Sequence, residues 1–282
     1  MSWDLEGRVA IVTGVDSGIN HAFAEQLLNA GTSVIFADIS LRPEAESQIS
    51  ATWEFALKTF GRIDLLCPGA GIWKPPSSSF WHAPGTSPFA KDDPNGAPGV
   101  YNIFAVNVMG PIRFAQVAID YWLENKVAGN LIFVASQSAY LPTIGTPLYS
   151  AGKGALTTFT QSLAQLKARL NIRVTAMCPS VRYMPATQLD HCKSKIRDFD
   201  MNMTATECAE VMLRMVTEKD YGNGDVVEAM QFGKGKSDVR VRKIPYHNLR
   251  ADIDFNGEFS GKNIMAEEEK LYEQLKTKGM RP

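Results

Sequence analysis

A chain of 282 residues with 45% hydrophobic and 21% charged residues has ordinary globular proportions, with room for one large domain or two small ones. Its formal net charge of −1 gives no electrostatic reason to expect nucleic acid or an anionic membrane as partner. No apolar run approaches the roughly 20 residues that a membrane helix needs. The opening Met1-Ser2-Trp3-Asp4-Leu5-Glu6 lacks the basic and apolar regions of a secretory signal. The four cysteines (Cys67, Cys178, Cys192, Cys208) and four histidines (His21, His82, His191, His247) fall at no metal or redox spacing. The expectation is a cytoplasmic, reduced, metal-free protein.

Arg8 to Thr13 reads as a short strand. It runs into Thr13-Gly14-Val15-Asp16-Ser17-Gly18-Ile19-Asn20 and then a helical pattern with Ile19, Phe23, Leu27 and Ala30 on one face. Strand, glycine turn and helix form the context in which backbone N–H groups can meet a pyrophosphate at a helix N-terminus. Ser33 to Asp38 is a second buried strand, ending in a carboxylate about 20 residues past the turn, where it can accept from a ribose diol. A 2′-phosphate would be repelled there, although Arg42 is near. Only one helix, roughly Pro43 to Phe60, precedes the next strand at Ile63 to Cys67. A complete half of a doubly wound sheet needs another strand here, so the third strand is expected to be missing.

Trp73 to Gly99 carries six prolines and the aromatics Trp73, Phe80, Trp81 and Phe89. A loop this long is usually functional or disordered, and its aromatics argue against disorder. Val100 to Glu124 reads as a helix with Asn107 near its middle, where a polar side chain must find partners. Leu131 to Ser136 is a strand ending in a hydroxyl. It leads to a helix reaching about Leu170 that bears Tyr149 and Lys153, four apart and so on one face. An ammonium beside Tyr149 would lower its pKa from about 10 and equip it as an acid/base. In isolation, such a pair is more often a surface Tyr and Lys. Ile172 to Cys178 and Asp225 to Met230 complete the strands, and Thr204 with Glu207 can cap the helix between them. The polar tail ends in a helix from about Ala266 to Lys276. Alternating strands and helices without an internal linker predict one α/β domain, a doubly wound parallel sheet over about residues 7–230 with an extension to 282.

At this point the chain resembles the short-chain dehydrogenase/reductase family. The family's Thr-Gly-x-x-x-Gly-x-Gly turn matches Thr13 to Asn20, its Asn-Asn-Ala-Gly matches Pro68-Gly69-Ala70-Gly71, and its Pro-Gly matches Pro179-Ser180. The catalytic tetrad matches Asn107, Ser136, Tyr149 and Lys153 in order. Phe80-Trp81-His82 and the charged tail are similar to fungal members related to 15-hydroxyprostaglandin dehydrogenase. The resemblance implies a Rossmann-type fold and an NAD(P)-dependent oxidoreductase acting on a secondary alcohol or ketone of a small molecule. In it, Tyr149 is the acid/base, Lys153 tunes it and holds the nicotinamide ribose, and Ser136 binds the substrate oxygen. Asn107 holds a relay water. The dinucleotide would meet Gly14, Ser17, Gly18, Ile19 and Asp38 at one end. It would meet Ala70, Gly71, Asn107, Tyr149, Lys153, Pro179 and Val181 along the rest of the cleft.

Asp38 favours NAD(H); with Arg42 taking the 2′-phosphate, NADP(H) is the alternative. The Trp73–Gly99 loop and the Val181–Met203 segment are expected to wall the substrate pocket, and the open sheet edge to favour a homo-oligomer or a protein markedly stabilised by its cofactor. Asn20 replaces the third glycine and is expected to crowd the first helix against the strand, so that Asn20→Gly would tighten cofactor binding. Both Asn of Asn-Asn-Ala-Gly are gone. The altered glycine motif and the missing third strand support a rival reading, a cofactor-binding scaffold or regulator without turnover.

Overall fold

The structure is a computed structural model that describes residues 2–37, 45–73, 75–95, 101–180, 203–232, 238–245 and 262–281. Asp38, Arg42, Cys192, Val181 and most of the 181–203 segment lie outside these. The readings placed on them are therefore outside the described residues.

Val-Ala-Ile-Val-Thr is apolar and β-branched, and forms β1 (Val9–Thr13), buried along its whole length. Strands buried on both faces read as continuous apolar runs because side chains alternate between two cores. Val9 and Ile11 enter one core, and Ala10 and Val12 the other. β2 (Ser33–Ala37), β3 (Leu65–Cys67), β4 (Gly129–Val134), β5 (Ile172–Pro179), β6 (Asn223–Phe232) and β7 (Asp238–Lys243) complete one sheet in the order β2-β1-β3-β4-β5-β6-β7. The first six pair in parallel, and β7 returns antiparallel on β6.

Helices cover both faces. On one side α1 (Gly18–Asn29) and α7 (Ala205–Thr217) contribute Phe23, Leu27, Met212 and Met215. On the other, α2 (Ala45–Phe60), α4 (Gly110–Glu124) and α5 (Pro147–Ser162) contribute Trp53, Phe114, Trp122 and Leu156. A fully buried side chain such as Phe114 contributes roughly 1.5–3 kcal/mol. α7 starts on the capping box foreseen in the sequence: Thr204 Oγ1 accepts from the Glu207 N–H at 3.1 Å, and the Thr204 N–H donates to Glu207 Oε2 at 2.7 Å.

The third strand is absent among the described residues: α2 follows β2 and leads directly to β3 on the far side of β1, leaving β2 at the edge. The reversal of strand order between β1 and β3 opens a crevice above their C-terminal ends, the usual place for a ligand in such a sheet.

Three readings need correction. The tail contains β7, whose Asp-Val-Arg-Val-Arg-Lys alternates with period two; Val239 and Val241 pack on the core while the arginines face out. The helix bearing Tyr149 stops at Ser162, and Leu166–Leu170 is a separate short helix, α6. The run Asn102–Glu124 is long and apolar enough in composition to cross a bilayer, against the expectation from the sequence. Half of it is buried inside the fold, where Phe114, Ala115, Ala118 and Trp122 belong to the core, so its apolar face is accounted for by packing. That run is α3 (Asn102–Phe104), a π-helical turn Ala105–Met109 and α4 in succession. The extension ends in α8 (Lys262–Lys278), tied back by Arg281, which forks onto the Glu124 carboxylate at 2.6 and 2.8 Å.

Candidate active site

The glycine turn lies where β1 meets the crevice. Gly14 adopts φ +72, a conformation that side chains resist, and a Cβ there would lie 2.7 Å from Ala70 Cα. Ala70 and Gly71 follow β3, and Thr13 Oγ1 accepts from the Ala70 N–H at 3.1 Å, joining the two turns. Ser17 and Gly18 begin α1, whose first turn holds no acidic residue and no side-chain cap from Ser17. The Ile19 side chain is buried in the core, so only its backbone faces the turn. These features fit a dinucleotide, with backbone N–H groups and the positive helix end toward a pyrophosphate.

Asn20 does not crowd the helix off the strand, which corrects the expectation. Its side chain is buried, and Nδ2 donates to the carbonyls of Gly14 at 3.3 Å and Gly69 at 2.8 Å. It lies over Gly69: a Cβ at residue 69 would come within 2.4 Å of Asn20 Oδ1. The two departures from the family pattern are thus one exchange. The side chain missing at 69 is replaced by one arriving from 20, and it ties the glycine turn to the turn after β3. Asn20 Oδ1 has no hydrogen-bond partner among the described residues, a cost the arrangement carries.

The four tetrad residues converge beside this crevice. Asn107 lies in the π-helical turn, a local widening often found at functional sites. It is buried, and Ile72 satisfies both ends of its amide: the Ile72 N–H donates to Oδ1 and Nδ2 donates to the Ile72 carbonyl, each at 2.8 Å. A Cβ at Gly71 would sit 3.4 Å from Asn107 Oδ1 and 3.5 Å from Lys153 Nζ, so Gly71 leaves the space where these groups approach. Ser136 ends the chain leaving β4 and caps the short turn Gln137–Ala139; its Oγ accepts from the Ser138 N–H at 3.1 Å. The Ser136 hydroxyl also hydrogen-bonds the Tyr149 side chain.

The electrostatics differ from the sequence expectation. Burial pushes the Tyr149 phenol up to about 12, while the Ser136 hydroxyl beside it pulls the other way. Among the described residues no hydrogen bond joins Lys153 to the phenol oxygen. Its Nζ lies 5.6 Å from the centre of the Tyr149 ring and donates to the Val134 carbonyl at 2.6 Å. Burial lowers Lys153 to about 8. The Tyr149 hydroxyl therefore holds its proton at neutral pH, as a donor to a carbonyl oxygen must.

This gives a pH dependence. Lys153 keeps its proton to about pH 8 folded and to its ordinary 10.5 unfolded. Across that window the unfolded chain binds more protons, so stability rises with pH. Tyr149 and Cys178 act oppositely once their unfolded forms ionise, above 10.0 and 9.0, because folding holds both up to about 12. Between about pH 8 and 9 the melting temperature should climb more steeply for the parent than for Lys153→Met. Equal slopes would remove Lys153 as the cause.

Pro179 closes β5 against Ala229 of β6, at the same end of the sheet. The Pro-rich loop is organised rather than loose. Ser78 Oγ and Asp92 Oδ1 accept from the N–H groups of Ile103 and Asn102 at 3.0 and 2.8 Å, seating the loop on the start of α3. The Trp81 indole N–H donates to the Ile144 carbonyl at 2.7 Å, five residues before Tyr149. Thr13 and the buried Glu228 were not singled out from the sequence as site residues. Glu228 had a signal, a lone carboxylate inside the apolar run Val226 to Met230.

A doubly wound sheet, a glycine turn at its switch point and a Ser–Tyr–Lys–Asn cluster beside it define a nucleotide-dependent dehydrogenase type of site. The model for short chain dehydrogenases matches residues 41–193, more than half of the chain. The protein belongs to the short-chain dehydrogenase family of oxidoreductases. It is 28% identical over 258 residues to 2-(R)-hydroxypropyl-CoM dehydrogenase of Xanthobacter autotrophicus, covering 83% of this chain and 94% of the relative. It is 27% identical over 206 residues to 1-deoxy-11-beta-hydroxypentalenate dehydrogenase of Streptomyces exfoliatus, covering 65% and 70%. Among solved structures, 3-ketoacyl-(acyl-carrier-protein) reductase from Brucella melitensis, complexed with NADH, superposes with a TM-score of 0.63. It shares 22% identity, covering 80% of this chain and 98% of that one. None of these three reflects the narrower likeness to relatives of 15-hydroxyprostaglandin dehydrogenase.

Proposed function

We propose that the protein is an NAD(H)-preferring oxidoreductase that interconverts a secondary alcohol and a ketone on a small organic molecule. The observation that carries this reading is the convergence of Ser136, Tyr149, Lys153 and Asn107 on the crevice formed by Gly14, Ala70 and Gly71. The dinucleotide, when bound, supplies the hydride. Tyr149 gives a proton to the carbonyl oxygen in reduction and takes it back in oxidation. Ser136 holds that oxygen in place with its hydroxyl. Lys153, kept in reach by the Val134 carbonyl, supplies positive charge beside the ring, and Asn107 fixes the chain at Ile72. The relatives named for alcohol dehydrogenation and for complexation with NADH support the same chemistry.

The substrate is read as apolar. Phe80, Trp81, Leu141 and Ile144 are exposed; Phe80 packs edge-on to Trp81, Trp81 is tied to Ile144, and Leu141 and Ile144 lie between Ser136 and Tyr149 in sequence. Aromatic and aliphatic walls of this kind suit a hydrophobic ketone. The rival reading, a scaffold without turnover, rests on the altered glycine motif and the missing third strand; the exchange between Asn20 and Gly69 weakens the first support, while the second stands among the described residues.

Cofactor choice is proposed from Asp38. NADH should bind more tightly than NADPH, and Asp38→Ser with Ile39→Arg should shift preference toward NADPH by removing a repulsion and adding a cation. Titration of both nucleotides onto the parent protein checks this, and tighter NADPH binding there would show the assignment of Asp38 to be wrong.

A further inference from the structure

We infer that Glu228 is a positioning residue for Ser136, holding the turn that carries the catalytic hydroxyl from a strand the reaction does not otherwise use. Glu228 lies in the middle of β6, 2% exposed, opposite Cys178 of β5 and Arg242 of β7. One carboxylate oxygen accepts from Gln137 Nε2 at 3.1 Å and from the Tyr140 hydroxyl at 2.8 Å; the other accepts from Arg242 Nε. A buried carboxylate is stable only when donors fill its lone pairs. Two of these three donors are the residues at +1 and +4 from Ser136. Burial would raise Glu228, but the hydrogen bonds outweigh it and hold the group below the usual carboxylate range, so it accepts as a full anion at neutral pH.

What Glu228 grips is small. Gln137–Ala139 is a single turn, closed by backbone bonds such as Ala139 N–H to the Ser136 carbonyl and Leu141 N–H to the Gln137 carbonyl. Ser136 Oγ is oriented by the Ser138 N–H of that turn. Displacing Gln137 and Tyr140 moves Ser138, and with it the hydroxyl that faces Tyr149. β7 joins the site through the same anion, because Arg242 reaches Glu228 from the strand that the extension adds to the sheet. Arg242 is largely exposed, so Gln137 and Tyr140 are the partners that transmit position.

The inference rests on the reading of Ser136 and Tyr149 as the pair that handles the substrate oxygen, so the test separates the two. Reduction of a panel of hydrophobic ketones by NADH is measured for the parent, Tyr149→Phe, Ser136→Ala, Glu228→Ala and Glu228→Gln. Glu228→Ala should lower kcat about ten- to a hundredfold, with NADH affinity nearly unchanged. Glu228→Gln, whose amide oxygen still accepts from Gln137 and Tyr140, should retain most of the rate. In the Ser136→Ala background Glu228→Ala should add no more than about a twofold loss, because both changes act through one hydroxyl. Gln137→Ala with Tyr140→Phe cuts the same link while leaving the carboxylate in place, and should reproduce the loss if Glu228→Ala fails to fold. Equal losses in both backgrounds, or an unaffected kcat, overturn the role of Glu228 while Tyr149→Phe still abolishes turnover. A panel on which the parent is inactive overturns the functional reading and this inference with it.

Discussion

Tyr149→Phe should lower turnover by about 10²–10⁴-fold while the protein still folds and binds NADH. The substitution removes one hydroxyl and keeps the ring under Lys153, so packing and the Lys153–Val134 hydrogen bond survive. What it removes is the proton that burial holds on the phenol and that a developing alkoxide needs. Lys153→Ala should behave differently. It takes a buried cation from the space between Gly71 and Asn107, so turnover and nucleotide affinity should fall together. Steady-state rates beside nucleotide titrations distinguish the two patterns. A Tyr149→Phe protein that keeps most of its rate would exclude Tyr149 as the acid/base.

The second large effect concerns residues 20 and 69. Gly69→Asn places a Cβ 2.4 Å from Asn20 Oδ1, and overpacking of this kind costs roughly 1–3 kcal/mol. Asn20→Gly removes the two hydrogen bonds that join the glycine turn to the turn after β3, and should also destabilise by roughly 1–3 kcal/mol and loosen nucleotide binding. The double variant Asn20→Gly with Gly69→Asn restores one side chain to one space. It should be more stable than either single variant, with a coupling of about 0.5–3 kcal/mol. Denaturant melts of the four proteins measure it. Strict additivity would mean that the two positions do not compensate.

Much of this was legible in the sequence because the sheet is buried on both faces. Apolar runs at Val9, Leu131 and Ile172 can hardly be anything but interior strands, and glycines at 14 and 18 between a strand and a helix have few other uses. That no third strand lies between β2 and β3 among the described residues agrees with the count of residues between Asp38 and Gly61. The ordered spacing of Asn107, Ser136, Tyr149 and Lys153 located the cluster, since strand ends and helix faces carry residues at fixed intervals.

Three-dimensional proximity was not legible. Asn20 and Gly69 are 49 positions apart, and only the meeting of two turns shows that one side chain fills the space the other lacks. Lys153 and Tyr149 share a helix face, and on that alone the sequence predicts an ammonium acting on the phenol oxygen. Face-sharing did not reveal that the Val134 carbonyl would capture the ammonium and that burial would dominate both groups. β7 went unseen because alternating Val and Arg over six residues is a weak signal beside a charged tail. Glu228 was passed over because a charge inside a strand says that partners exist without saying which.

The most direct test of the central claim is consumption of NADH by the purified parent protein with a panel of hydrophobic ketones, followed by loss of nicotinamide absorbance, with Tyr149→Phe run in parallel. The account predicts turnover of at least one ketone and its near-abolition by Tyr149→Phe. Tight NADH binding without reduction of any ketone, or turnover indifferent to Tyr149, would contradict it.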